Sequence, residues 1–282
     1  MADRELFYPE RFKDASRYYT TGRPTYPALL SARVAVLVGL TSEDDVLDLG
    51  TGPGFLAIDF APLSRAVTAV DPSPEMLSAA ATNAERARVA IRFVRGSSYE
   101  LGSHLGRFKL VTIGRAFHWM DRAATLGVLD ALVEPGGGVA LFGESYPDVP
   151  ANAWHPAFQA AIDRYSTDDP ARPKIRAATS NESILLSSSF DQLERASVLE
   201  RRRTPVERFV DRALSFASTW HGRPGSREHD LAGEIRAIVG EHAGADGTVL
   251  EVIEGHALLA RRSRDLPGDG APQSSGPNAT VH

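Results

Sequence analysis

Apolar positions in the first half of the chain alternate between two rhythms. Val46–Leu49, Ala66–Val70, Ile91–Val94, Leu110–Ile113 and Val139–Phe142 are short apolar runs bounded by turn residues, the pattern of buried strands. Between them, apolar residues recur at helical spacing. Ala28–Gly39 reads as a helix with Leu30, Val34 and Leu37 inward and Gly39 as its stop. Phe55–Ala61 is a short helix closed by Pro62. Pro74 opens a helix with Ser73 as N-cap and Met76, Leu77, Ala80 and Ala84 on its apolar face. Asp121 caps another, with Leu126, Leu129, Leu132 and Val133 inward. Strands alternating with helices predict an α/β fold whose parallel sheet is covered on both faces.

The second half is less regular. Residues 147–192 read as helical and loop-rich, Ser197–Arg203 as a strand, and Pro205–Ala217 and Glu228–Val239 as helices. Thr248–Ile253 and His256–Arg261 are strand material on either side of Gly255. Ser263–His282 is Pro, Gly, Ser and Asn with little apolar content, the composition of a disordered tail.

At 282 residues and 43% apolar content the chain can bury a sizeable core. The net charge of −5 argues against a broadly basic nucleic-acid footprint. No cysteine is present, which removes disulfides, thiolate metal sites and a cysteine nucleophile, and no metal site is expected. The longest apolar run, Val34–Leu40, is far short of the roughly 20 residues that span a bilayer. The charged N-terminus lacks an apolar signal core, so the expectation is a cytoplasmic protein without membrane or nucleic-acid partners.

The strongest chemical signal is Asp48-Leu49-Gly50-Thr51-Gly52-Pro53-Gly54, a strand running into a glycine loop that opens a helix. Glycines admit positive φ and let a ligand lie against bare backbone. The helix N-terminus beyond offers free N–H groups to an anion. Asp71 ends the next strand, at the distance where a carboxylate accepts both hydroxyls of a ribose. A dinucleotide loop is G-x-G-x-x-G, and here Phe55 stands where its third glycine belongs.

G-x-G-x-G with Asp48 just ahead resembles motif I of the class I S-adenosylmethionine-dependent methyltransferases. Asp71-Pro72-Ser73-Pro74-Glu75-Met76-Leu77 resembles that family's D-x-S-x-x-M-L segment. Arg23-Pro24-Thr25-Tyr26-Pro27, Ala116-Phe117-His118-Trp119-Met120-Asp121 and Pro135-Gly136-Gly137 are similar to segments of its type 11 branch, which includes trans-aconitate methyltransferase-like enzymes. The likeness covers roughly residues 18–143. One departure lies after the third strand, where the family's acid for the adenine amino group is replaced by Ser97-Ser98-Tyr99.

The resemblance implies a Rossmann-like, seven-stranded, mostly parallel sheet with an antiparallel C-terminal hairpin. It implies one methyltransferase domain over 1–262, with 1–27 as an N-terminal lid and 145–245 as a helical substrate cover. The cofactor implied is S-adenosyl-L-methionine. Gly50, Thr51, Gly52, Gly54, Asp48, Asp71 and Pro72 would hold it, with Met76 over the adenine and Ser97, Ser98 and Tyr99 at its edge. Arg23 would pair with the donor's carboxylate and Tyr19 close over the sulfonium. Arg115 would line the cofactor or recognise an anionic substrate.

His118 is the candidate catalytic base for a hydroxyl acceptor; packing at the cofactor site and a purely structural role are its alternatives. Trp119 reads as core and Glu144 as a carboxylate facing the same crevice. The resemblance is not specific for substrate; the expectation is a small organic acceptor methylated on oxygen in secondary metabolism, with N- or C-methylation, or nucleoside binding without catalysis, as alternatives. Trp154, Phe158, Ile162, Tyr165, Phe209, Phe216 and Trp220 either line a pocket for that acceptor or pack against one another.

Overall fold

The computed structural model describes residues 16–166, 179–216 and 227–263. Helix α1 (Ser16–Gly22) and helix α2 (Ala28–Val38) precede strand β1 (Asp45–Leu49). Then come α3 (Phe55–Phe60), β2 (Ala66–Asp71), α4 (Pro74–Ala87), β3 (Arg92–Arg95), β4 (Phe108–Gly114), α5 (Arg122–Leu132) and β5 (Val133–Ser145). The second half supplies α6 (His155–Tyr165), α7 (Asn181–Leu186), β6 (Gln192–Pro205), α8 (Val206–Leu214), α9 (Glu228–Gly240) and β7 (Thr248–Arg261).

The seven strands form one sheet in the order β3-β2-β1-β4-β5-β7-β6. β1 pairs in parallel with β2 on one side and β4 on the other. The chain therefore winds outward in both directions from β1, and a crevice opens at the carboxyl ends of β1 and β4. β7 is antiparallel to both β5 and β6.

One apolar layer joins α5 (Leu126, Leu129, Leu132) and α7 (Leu185) to the sheet; the other joins α2 (Leu30, Val34, Val38) and α3 (Leu56, Phe60) to the opposite face. A third cluster, from α6, α8 and α9, packs around Trp154 and Phe209.

The expected caps are present. Gly39 ends α2 with φ 65°, the Ser73 hydroxyl accepts from the Met76 amide, and the Asp121 carboxylate accepts from the Ala124 amide. Several boundaries differ. Leu37 and Leu77 are only half-buried, and Pro62 lies within a 3-10 turn, Ala61–Leu63. The third and fourth strands are β3 and the longer β4, and Val133 begins β5 rather than ending α5.

β5 runs through Pro135–Gly138, which the apolar run alone left outside the strand. Its pairing with β4 shifts register between Phe108 and Leu110, the irregularity that admits the Pro-Gly stretch. Gly255 does not divide two strands but lies inside β7, where a Cβ would fall 2.4 Å from Pro27 Cδ. Its bare backbone lets the segment before α2 lie across the sheet.

β6 is twice the expected run because it pairs with β7 along its whole length. It is the edge strand, and its Glu200-Arg201-Arg202-Arg203 run guards that edge with charge. α8 and α9 lie in the β6–β7 connection, so the antiparallel pair is not joined by a tight turn. Just past β7, Ser263 donates to Asp191 from its amide and hydroxyl at 2.9 and 3.0 Å. The expected tail otherwise lies outside the described residues, as do the first 15 residues of the expected lid.

Candidate active site

The glycine loop leaves β1 at the crevice. Gly50, Gly52 and Gly54 all take positive φ, at 69°, 54° and 85°. A Cβ on Gly50 would stand 2.6 Å from the Ala116 Cβ, whereas one on Gly52 would meet nothing within 4 Å. Gly50 therefore lets the loop after β4 come close, and Gly52 presents bare backbone to open space.

Two carboxylates hold the loop. Asp48, 1% exposed, accepts from the Thr51 hydroxyl at 2.5 Å and the Thr112 hydroxyl at 2.8 Å. Burial pushes its pKa up to about 6 against those two hydrogen bonds. Asp71 accepts from the Gly52 amide at 2.8 Å and the Ser73 amide at 2.9 Å. Burial raises its pKa, opposed by the same two bonds. Asp71 thus ties the glycine loop to the start of α4, with its carboxylate at the cleft wall beside Pro72 and Met76.

The cleft has two lobes. The outer, about 510 Å³, runs from Asp71, Pro72 and Met76 to Ala116, Trp119 and Met120. The inner, about 270 Å³, lies between the glycine loop and Tyr26, Phe55 and Leu56. Tyr19, Gly50, Gly52, Gly114 and Arg115 line both.

Arg115 has φ 55°, a left-handed conformation rare for an arginine. It donates to Glu144 at 3.0 Å and to the Pro24 carbonyl at 3.2 Å, with its guanidinium 4.8 Å from the Tyr26 ring centre. Arg23 approaches the other Glu144 oxygen at 3.7 Å, donates to the Ser215 hydroxyl at 2.8 Å and lies 3.9 Å over the Phe216 ring. Burial would raise the Glu144 pKa, but Arg115 and then Arg23 hold it below the ordinary carboxylate range. The buried Tyr26 hydroxyl and Arg115 Nε have no hydrogen-bond partner among the described residues.

The cleft brings together Tyr19, Asp48, Gly50, Thr51, Gly52, Asp71, Pro72, Met76 and Arg115. Gly54 supports the loop as the N-cap of α3. Arg23 lines neither lobe; its guanidinium lies 5.3 Å from the ring centre of Tyr19, which lines both. Ser97 is buried, and its amide and hydroxyl donate to Glu100 at 2.8 and 2.9 Å. Ser98 is also buried and Tyr99 is 37% exposed; none of the three lines either lobe.

His118 sits on the 3-10 turn Phe117–Trp119, its ring 4.8 Å from that of Trp119. Burial, then Arg23 and Arg122, push its pKa down to about 4. It does not line the lobes.

Trp119, read as core from the sequence, is a cleft residue, and Met120 and Tyr26 join it there. Tyr26 stands inside R-P-x-Y-P, which was its signal; for Trp119 and Met120 the position past β4 does not show which way each side chain turns. The aromatic set of the second half resolves as packing. Trp154 is fully buried, with Tyr146, Phe158 and Phe209 edge-on at 5.4, 5.4 and 4.7 Å. Trp220 lies outside the described residues.

Residues 46–137 match the family model of a methyltransferase domain. An uncharacterized methyltransferase of Mycobacterium tuberculosis is 29% identical over 46% of this chain and 50% of its own length. A ubiquinone biosynthesis O-methyltransferase of Methylocella silvestris is 33% identical over 33% of this chain and 36% of its own. The chain spans half the length, or less, of these curated relatives. A methyltransferase of Thiobacillus denitrificans, solved with S-adenosyl-L-homocysteine, superposes with a TM-score of 0.52 at 15% identity, covering 89% of this chain and 98% of its own. At that identity the likeness concerns the fold. No described helix is long and apolar enough to cross a membrane.

Proposed function

We propose that this chain is a class I S-adenosylmethionine-dependent methyltransferase, a reading supported by the methyltransferase-domain match over residues 46–137, and that it methylates a small organic molecule on oxygen. The observation that carries the reading is the junction of bare Gly52 backbone with the Asp71 carboxylate at the cleft wall. A nucleoside needs such a pair: a carboxylate for vicinal hydroxyls, and backbone without side chains to lie against.

The residues present fit S-adenosylmethionine. Asp71 would take the ribose, and Met76 would pack against the base. Arg115, Tyr19 and the unpartnered Tyr26 hydroxyl would meet the amino-acid end. Bound there, the donor supplies a methyl carbon already activated by a sulfonium. The chain's own work is to orient the acceptor and exclude water. Trp119 and Met120 form the apolar wall that does so.

His118 is the candidate group to take a proton from a hydroxyl acceptor, but it is buried and lines neither lobe. With its conjugate acid held near 4 it is neutral at pH 7 but a weak base. That favours an acceptor oxygen already ionised, such as a carboxylate or acidic phenol, for which His118 would be a positioning residue. A small acidic metabolite in the cytoplasm fits this chemistry. Titration calorimetry should show S-adenosylhomocysteine binding without comparable NAD binding. Radiolabelled methyl transfer to a panel of organic acids, phenols and alcohols should favour the first two. Tighter NAD binding ends the reading, and preference for alcohols with a strict need for His118 restores the base.

A further inference from the structure

A second cavity, about 990 Å³ and open to solvent, lies on the far side of α1 from the cleft. Tyr19 faces the cleft, and the next residues, Thr20 to Thr25, wall the cavity. Opposite them stand the end of β6 and the start of α8. No residue lines both this cavity and the cleft.

Its chemistry is cationic. Arg23, Arg202, Arg203, Arg208 and Arg212 line it, against the single carboxylate of Glu251. Glu251 is spent: it takes two bonds from Arg212 at 2.8 and 3.0 Å and one from the Thr204 hydroxyl at 2.6 Å. Register explains the arrangement. Arg202 stands opposite Glu251 in the β6–β7 ladder, and two-residue alternation puts Thr204 on the same face.

Arg202 reaches Glu200 at 2.8 Å, and Arg203 meets Asp246 at 3.6 Å on the rim. Arg208 donates to the Thr21 carbonyl at 3.1 Å and meets no carboxylate among the described residues. Arg208 thus faces this open volume without a carboxylate, beside Arg202 and Arg203, whose partners Glu200 and Asp246 do not line it, so the wall stays cationic on a chain that carries −5. Guanidinium forks and hydroxyl donors together suit a tetrahedral, many-oxygen anion.

We infer that this cavity binds a small phosphorylated ligand through its phosphate group, at a site separate from the methyl-donor cleft. Arg202 and Arg208 are its recognition residues, with the Thr20 and Thr25 hydroxyls completing the oxygen shell. The arginine run of β6 thus guards the sheet edge and also contributes Arg202 to this site.

The test is calorimetric titration of the full chain with inorganic pyrophosphate at fixed ionic strength, with citrate as a carboxylate comparison. The expected result is one saturable pyrophosphate site per chain, tighter than citrate, that persists under saturating S-adenosylhomocysteine. Arg202→Gln with Arg208→Gln should weaken it at least about tenfold while S-adenosylhomocysteine affinity stays within about twofold. Arg208→Gln alone, at an exposed position, should weaken it several-fold and serves if the double variant is unstable. Absent pyrophosphate binding, tighter citrate binding, unchanged binding in both variants, or displacement by S-adenosylhomocysteine each overturns the inference. The donor-binding arm is scored separately, so failure here leaves the methyltransferase reading standing.

Discussion

The glycine loop and the arginine cluster beneath α1 are built by opposite means. In the loop, most contacts are local: Thr51 bonds Asp48 three residues away and Gly52 bonds Asp71 nineteen away, with Thr112 of the neighbouring strand reaching Asp48 across 64. Three positive-φ glycines set its shape. In the cluster, Arg23 reaches Ser215 across 192 residues, Arg212 reaches the Gly22 carbonyl across 190, and Arg208 reaches the Thr21 carbonyl across 187. The loop depends on backbone conformation, which a short motif encodes. The cluster depends on charges that meet only after the sheet has closed. Local devices tolerate change elsewhere, whereas a buried ion cluster fails when any partner is lost.

The largest effect should therefore come from the cluster. Arg212 and Glu251 have side chains only 4% and 1% exposed, and Arg212→Met would leave Glu251 charged, buried and unpaired. That change should cost about 3–5 kcal/mol in urea unfolding. Adding Glu251→Leu should recover part of the loss, because an apolar pair removes the stranded charge. A loss below 1 kcal/mol would place the cluster with ordinary surface pairs and erase the contrast with the loop.

Asp48 gives the loop's own stability signature. Its pKa rises from 3.8 to about 6 on folding because burial disfavours the carboxylate. A folded pKa above the unfolded one contributes stability below the unfolded pKa, and that contribution is lost as pH climbs through the folded value. Relative to Asp48→Asn, the wild type should lose roughly 2–3 kcal/mol between pH 4 and 6, at about 1.4 kcal/mol per unit. Denaturant midpoints for both proteins across that window check it. Parallel profiles would show that Asp48 does not govern the window.

The same division decided what the sequence disclosed. The parallel half was legible because apolar runs, glycine spacing and the Ser73 and Asp121 caps act within a few residues. Residues 50, 52, 71 and 76, which lie in motifs, line one cleft, and Arg115 just ahead of another motif joins them. Trp119 was not legible as a cleft residue, because an aromatic after a strand carries no local sign of which way it turns. Nor was the seam formed by Arg23, Arg115 and Glu144, since pairing across a folded sheet leaves no mark in spacing. Trp154 and Phe209 illustrate a third limit. Apolar residues at helical intervals show that they are buried, but not whether against a ligand or one another.

Asp71 sharpens the comparison from the binding side. Its carboxylate holds the Gly52 and Ser73 amides and faces the cleft. Charge-assisted hydrogen bonds are worth about 1.5–3 kcal/mol each, so Asp71→Ala should weaken S-adenosylhomocysteine binding at least about tenfold. Calorimetry reads the affinity, and circular dichroism checks that the fold survives. Unchanged affinity in a folded variant would make Asp71 a structural tie only.

The smallest effect is expected where the chemistry of Arg212 and Glu251 recurs without burial. Arg65 donates to Asp45 through two nitrogens, at 2.9 and 2.6 Å, the same bidentate arrangement. The Arg65 side chain is 60% exposed and that of Asp45 is 26% exposed. Water solvates both groups whether or not they touch, and salt screens what attraction is left. Removing one partner strands nothing, because the other simply hydrates. Arg65→Ala should therefore shift the melting temperature by no more than the scatter of replicate melts, and 1 M salt should abolish any residue. A loss approaching that of Arg212→Met would mean that geometry, rather than burial, sets the worth of an ion pair in this fold.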